Sequence, residues 1–222
     1  MLDCQRRREP TTVHRTPFKN LVPPPPTLRL TERAALLVVD FQVFAADRTV
    51  GLGRLAAERG LDDELEEYYE QVGFARRNAR DLLTAFRARG LPVFYSRRLA
   101  LPGTAPPWVP TTDDTTASVI PELAPLPGDV VVTRTATSPF AGGALDAAMT
   151  AAQVESLVVA GLILGGAVDC AVREGAEQGR AVVLVADACA AETHGLHDCV
   201  AAQLGGGVVR VRSTDVVLAM LA

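Results

Sequence analysis

Asp40 closes the apolar run Ala35-Leu36-Leu37-Val38-Val39, and Arg134 closes a second run, Val130-Val131-Val132-Thr133. The first run reads as a central strand and the second as a further strand of the same sheet. A carboxylate at the end of the first strand faces the crevice of the sheet rather than open solvent, so Asp40 is expected to be functional or paired, and Arg134 ends its strand as Asp40 ends the first. A third chemical position follows the run Leu157-Val158-Val159-Ala160. Gly161, Gly165 and Gly166 lead from it into a helical segment, Gly179 ends that segment, and the run Val182-Val183-Leu184-Val185 comes next. Strand, glycine turn, helix, glycine stop and strand make a βαβ unit, and ligands bind where its first strand gives way to its helix. The junction from Gly165 to Cys170 is therefore where chemistry is expected, and Cys170 brings a thiol to it.

The elements that position these groups can be placed in order. Leu91-Pro92-Val93-Phe94-Tyr95-Ser96 reads as a second strand, with its proline near the start, where proline is tolerated. A last strand covers Val208 to Val211, so six strands alternate with helices. That pattern predicts one α/β domain, a three-layer α/β/α Rossmann-like fold with a six-stranded parallel sheet. Between the first two strands, Gly51, Gly53 and Gly60 are expected to break the chain, an acidic helix begins at Asp62, and an amphipathic helix runs from Arg76 to Arg89 until Gly90 stops it. Ala144 to Ala152 is a short alanine-rich helix. Thr193 to Leu204 is another, and Ser213 is the expected N-cap of a C-terminal helix. Asp187 is expected to cap or brace the end of the sheet.

Residues 1–30 are polar and end in Pro23-Pro24-Pro25-Pro26, which favours an extended polyproline II arm outside a domain spanning 31–222. Such an arm either packs along the surface or reaches a neighbouring subunit. Residues 97–128 form a long Pro- and Thr-rich connection of the kind used as a lid. It carries the only tryptophan, Trp108, which either stacks on a planar ligand or anchors the loop.

Composition excludes several classes. The net charge is −4 and aromatic residues make up 5%, which fits neither a basic nucleic-acid footprint nor a base-stacking platform. No apolar run is long enough to span a bilayer, and Arg6-Arg7-Arg8 is not followed by the apolar stretch of a secretory signal, so a cytoplasmic protein is expected. The four cysteines, Cys4, Cys170, Cys189 and Cys199, form no CxxC pair and match no zinc spacing; free thiols are expected. His194 and His197 are one helical turn apart, but no carboxylate or thiolate is placed to complete a metal site, and His197 reads as structural.

Four segments in order resemble the isochorismatase-like cysteine hydrolase superfamily: LLVVDFQ at 36–42, ELAPLPGDVVVTRTATSPF at 122–140, VVAGLILGGAVDCAVREGAEQG at 158–179 and VVLVADAC at 182–189. The likeness extends over roughly residues 33–212. The superfamily includes nicotinamidases, N-carbamoylsarcosine amidases, related amide hydrolases and isochorismatases. The resemblance implies a catalytic aspartate at Asp40. It also implies a lysine four residues before the serine of Ser138-Pro139-Phe140, where this chain has Arg134, and a nucleophilic cysteine at residue 167, where it has Ala167. Gln42, Trp108, Phe140, Leu164, Gly166 and Arg173 are the expected substrate-binding neighbours, although Gln42 can equally tie the loop and Arg173 can lie on the helix surface. Nicotinamidases of this superfamily hold a metal through an aspartate and histidines soon after the first strand. Residues 43–75 contain no histidine, so neither metal nor cofactor is expected.

Alanine supplies no nucleophile, and arginine keeps the charge of lysine without readily giving up a proton. The resemblance also supplies a precedent, since isochorismatases lack the cysteine and cleave a vinyl ether, with the aspartate protonating the enol-ether carbon. Acid-catalysed hydrolysis of a small, planar, carboxylated molecule through Asp40 is thus the first expectation, with Arg134 on the carboxylate. An arginine near Asp40 is expected to lower its pKa and weaken it as a donor. A catalytically silent binding or assembly module is the second expectation, and amide hydrolysis through Cys170, one turn beyond Ala167, the third. Relatives commonly assemble around the site, so a homo-oligomer is expected.

Overall fold

The computed structural model describes residues 28, 30–101, 103, 108–112, 114–205 and 209–222. Most of the proline-rich arm and several positions in the 97–128 connection therefore lie outside the described residues.

Strand β1 (Ala34–Val39) is buried at every position, which explains its unbroken apolar run. Two short helices follow, α1 (Val43–Ala46) and α2 (Gly51–Glu58), and then the long helix α3 (Glu66–Ala88). Next come β2 (Val93–Arg98), β3 (Val130–Arg134), α4 (Ala144–Ala151), β4 (Ser156–Leu162) and α5 (Ala167–Glu177). The chain ends with β5 (Ala181–Ala190), α6 (His194–Leu204), β6 (Arg210–Arg212) and α7 (Thr214–Leu221). The six strands form one parallel sheet in the order β3-β2-β1-β4-β5-β6. The order reverses between β1 and β4, and the crevice beyond their C-terminal ends is the switch point of the fold.

Each sheet face has its own apolar layer. Leu36 and Val38 of β1 face Val72, Ala79, Leu82 and Phe86 of α3 and Val217 of α7. Leu37 and Val39 face Leu145 and Met149 of α4 and Val168, Ala171 and Val172 of α5. Among the described residues, no helix is long and apolar enough to cross a membrane.

Three expectations are corrected. The two helical pieces placed on either side of residue 70 are one 23-residue helix, α3, with Glu66 and Glu67 in its first turn and Arg87 in its last. Gly73 lies inside it, where an added methyl group would meet nothing, so the helix tolerates it. Gly51 and Gly53 open α2 instead of breaking the chain. A Cβ at either would fall within 2.3 Å of a carbonyl oxygen, that of Phe44 or Arg48, so these glycines serve close backbone approach. Finally, Ser213 occupies the N-cap position of α7 but its side chain makes no cap bond. Asp187, from β5, accepts from both the backbone N and the Oγ1 of Thr214 at 2.8 Å and caps the helix across the fold.

Gly161 pairs with Val39 at the switch point, and a Cβ there would lie 2.3 Å from the Val39 carbonyl oxygen. Gly161→Ala should therefore force β1 and β4 apart and cost about 3 kcal/mol, the upper range for overpacking. Urea denaturation of the two proteins measures this; equal midpoints would show that the strands part at no cost.

Candidate active site

Asp40 follows β1 in the left-handed region, at φ 51°, rare for a residue with a side chain. Its amide N donates to the Ser96 carbonyl of β2 at 3.0 Å, and its own carbonyl accepts from the Gln42 amide at 2.7 Å. The chain thus turns sharply as the sheet ends. Gln42 is fully buried and holds this turn. Its Nε2 donates to the Arg98 and Ala117 carbonyls at 3.0 and 2.7 Å, and its Oε1 accepts from the Arg98 amide at 2.7 Å. All three bonds go to backbone, so of its two readings the tie is the one built here.

Arg134 reaches from the end of β3 across β2. Its Nη2 donates to Asp40 Oδ2 at 2.8 Å, with the two side chains only 2% and 8% exposed. The two side chains are thus paired, and Arg134 lowers the Asp40 pKa as expected, but a larger effect opposes it. Burial raises the Asp40 pKa from 3.8 to about 6, outweighing the lowering by Arg134 and, more weakly, Arg98. Desolvation disfavours the carboxylate more than one hydrogen-bonded guanidinium favours it. Asp40 Oδ1, Arg134 Nε and Nη1, and Ser96 Oγ are buried without a protein hydrogen-bond partner.

Ala167 is the first residue of α5, and its methyl group joins the apolar layer that includes Phe140 and Leu164. Leu164 is completely buried and Phe140 nearly so, which makes both the packed floor of the junction. Gly166 is the N-cap of α5. Cys170, one turn on, is half-buried, and burial, then Asp169 and Glu174, push its thiol up, while Arg134 pulls it down. Arg134 is thus close enough to the first turn of α5 to be felt there.

Other expected neighbours are placed elsewhere. Arg173 lies on the surface of α5, its Nε donating to both carboxylate oxygens of Asp169 at 3.0 Å. Trp108 packs half-buried against the apolar layer on the α3 side of the sheet, opposite the layer that holds Ala167. His197 Nε2 lies 2.9 Å from the Ala186 carbonyl, and His194 Nε2 lies 3.2 Å from Glu70, so the two rings serve different partners. A cleft of about 570 Å³ opens between α1, α3 and residues 120–122, with Tyr69, Arg76 and Glu122 in its walls, but Asp40, Arg134 and Ala167 do not line it. Ser96 and Arg98 stand beside Asp40 and Arg134, and neither was singled out from the sequence. The signal was available, since Ser96-Arg97-Arg98 closes an apolar strand as Asp40 and Arg134 do.

The family model described as an isochorismatase domain matches residues 34–215. The chain belongs to the isochorismatase family. An uncharacterized isochorismatase family protein of Bacillus subtilis, YddQ, is 29% identical over 124 residues, covering 56% of this chain and 68% of that protein. A putative isochorismatase-family hydrolase from Chromobacterium violaceum superimposes with a TM-score of 0.70 at 26% identity, covering 90% of this chain and 98% of that one. N-carbamoylsarcosine amidase from Thermoplasma acidophilum gives a TM-score of 0.63 at 26% identity, over 82% of this chain and 96% of that one. A cysteine hydrolase from Pseudomonas syringae pv. phaseolicola shares the fold with a TM-score of 0.76, at 20% identity over 90% of this chain and 97% of that one. The six-stranded parallel sheet flanked by helices is thus the isochorismatase-family fold.

Because the Asp40 pKa is raised to about 6 in the folded chain from 3.8, the native state holds the extra proton between those values. Stability therefore falls as pH rises through that window. Relative to Asp40→Asn, wild type should lose about 2 kcal/mol between pH 4 and pH 7. Denaturation of both proteins across that range measures the difference; a constant difference would mean that burial does not govern the carboxyl group.

Proposed function

We propose that this chain hydrolyses a small, planar, carboxylated metabolite by acid catalysis through Asp40, with no cysteine nucleophile. The observation that carries this reading is the buried Asp40 carboxyl group, held protonated up to about pH 6 and with Oδ1 free of protein partners. A proton donor working near neutral pH needs a pKa close to that range. On an enol ether, Asp40 gives its proton to the terminal carbon and an oxocarbenium ion forms. Water adds to it, its proton returns to the Asp40 carboxylate, and the hemiketal splits into an alcohol and a ketone. Arg134 stabilises the carboxylate left after the first transfer and keeps its own proton throughout.

Two features separate this from amide hydrolysis. Ala167 has no nucleophile, and the raised Cys170 pKa keeps that sulfur a thiol, the weaker nucleophile. The reading extends to a homo-oligomer working in the cytoplasm, with residues 1–30 as an arm beside the 31–222 domain. Support for assembly comes from Leu126, Val130 and Val131, which stand exposed at and beside the β3 edge of the sheet.

Time courses by mass spectrometry on isochorismate, related enol ethers and small amides test the reaction. Asp40→Asn should lower turnover by about a hundred- to ten-thousandfold, the usual contribution of a general acid. Cys170→Ala should leave it in place, and the wild-type rate should fall as pH rises through about 6. Normal turnover in Asp40→Asn would overturn the reading, and ligand binding without turnover would make the chain a binding module. Ala167→Cys alone should show no amidase activity, because Arg134 cannot take up the proton; turnover of a small amide by that variant would show otherwise.

A further inference from the structure

The register of β2 against β3 sets Arg98 beside Arg134. Residues paired across neighbouring strands project from the same face of a sheet. On these strands that is the face covered by α4 and α5, because Phe94 of β2 and Val132 of β3 belong to its apolar layer. Ser96, two residues before Arg98, shares the face. The two guanidinium groups converge on one region: Arg98 is felt at Asp40, and Arg134 both bonds Asp40 and is felt at Cys170 in the first turn of α5.

The region carries more positive charge and more donors than the protein itself satisfies. Two guanidinium groups face one carboxylate. Ser96 Oγ, Arg98 Nε and Arg134 Nε and Nη1 are buried without a protein hydrogen-bond partner. Ser96 and Arg134 are 1% and 5% exposed, so these are not loose surface groups. Buried donors without acceptors are costly, and an anion with several oxygens meets both needs, charge and hydrogen bonding. Arg97, the neighbour on the other face, points away from Asp40 and donates through Nη2 to Thr133, although its Nε is also buried without a protein partner.

We propose that Ser96, Arg98 and Arg134 form an anion anchor that seats a carboxylate of the substrate beside Asp40. The proposal deepens the acid-catalysis reading and rests on it only for the role of Asp40; the anchor is a binding site with or without turnover. It has a further consequence. An anion seated here takes up Arg134 donors and adds negative charge next to Asp40, and both changes favour the neutral carboxyl group. Anion binding should therefore draw one proton from solvent onto Asp40. The charged or titratable groups that interact with Asp40 are Arg134 and Arg98 from the sheet and Tyr68 from α3, whose phenol burial keeps neutral. Cys170 from α5 lies within reach of Arg134 and stays a thiol.

Calorimetric titration of the full chain near neutral pH, with benzoate as probe and benzamide as its neutral counterpart, tests the anchor. Benzoate should bind wild type, and benzamide should bind about tenfold more weakly or worse. Arg98→Gln should weaken benzoate by about tenfold or more, the scale of a charge-assisted hydrogen bond, with Ser96→Ala weakening it a few-fold and Arg98→Lys less than Arg98→Gln. Repeating the titration in buffers of different ionisation enthalpy should reveal proton uptake in wild type and none in Asp40→Asn, which still binds. Equal binding of benzamide, absence of benzoate binding to wild type, or unchanged affinity in Arg98→Gln would overturn the anchor. Proton uptake persisting in Asp40→Asn would overturn the coupling to Asp40. An Asp40→Asn protein that binds benzoate and keeps full turnover would sink acid catalysis and leave the anchor standing. An inactive Asp40→Asn beside an Arg98→Gln protein with normal affinity would do the reverse.

Discussion

The buried ion pair between Asp40 and Arg134 is the constraint on which the site depends. It spans a whole strand, from the end of β1 over β2 to the end of β3, with a single 2.8 Å hydrogen bond joining two nearly fully buried side chains. Taking both charges out of water costs several kcal/mol per ion, and well-packed apolar residues in the same volume would often be more stable. The pair also leaves three of its own polar atoms unmet. A fold shaped only for stability would not place such a pair at the switch point of its sheet. The surroundings are rigid instead: Gln42 ties the turn to Arg98 and Ala117, and Gly161 lets β4 lie against Val39 without clash.

Ala167 and Arg134, at the positions where the resemblance to amide hydrolases implies a cysteine and a lysine, are chemically consistent with each other. A cysteine nucleophile needs a neighbour that accepts and returns its proton, and lysine can be tuned to do so when buried. Arginine cannot, but it offers more donors in a fixed plane and holds its charge at any working pH. With Ala167 in place of a nucleophile, proton exchange at residue 134 has no partner to serve. A permanent cation with several donors is then an advantage for holding an anion and for balancing Asp40 once it has given up its proton.

Much of this was legible in the sequence because it depends on local pattern. The bounds of β3 and the end of β1 follow from apolar runs stopped by a charge; that pattern pointed to Asp40, and the family resemblance to Arg134. The resemblance singled out residue 167 by its distance from Gly161 and Gly179, and α5 begins there. What escaped depends on contacts between segments distant in sequence. The acidic start near Asp62 and the amphipathic stretch from Arg76 read as separate pieces, but the packing of Tyr68, Val72, Ala75 and Ala79 on the sheet carries α3 through the residues between them. Ser213 has the right type for a cap, yet Asp187, 27 residues away along the chain, makes the bonds. Arg98 was hidden in a run of two arginines, and only the register with β3 separates it from Arg97.

The pKa of Asp40 shows why charge counting along a sequence is insufficient. A neighbouring arginine predicts a lowered value, and the arginine is present, but desolvation is the larger effect and acts in the opposite direction. The same effect raises Cys170 in the first turn of α5, against the pull of Arg134. The chemical consequences of these two shifts are opposite. A carboxyl group whose pKa is raised to about 6 becomes a usable proton donor near neutral pH, whereas a thiol whose pKa is raised loses most of its power as a nucleophile. Burial is the largest effect at both groups, complete at Asp40 and partial at Cys170, and arginine compensates for it only in part; on the reading proposed above, that suits giving a proton better than attacking a carbonyl.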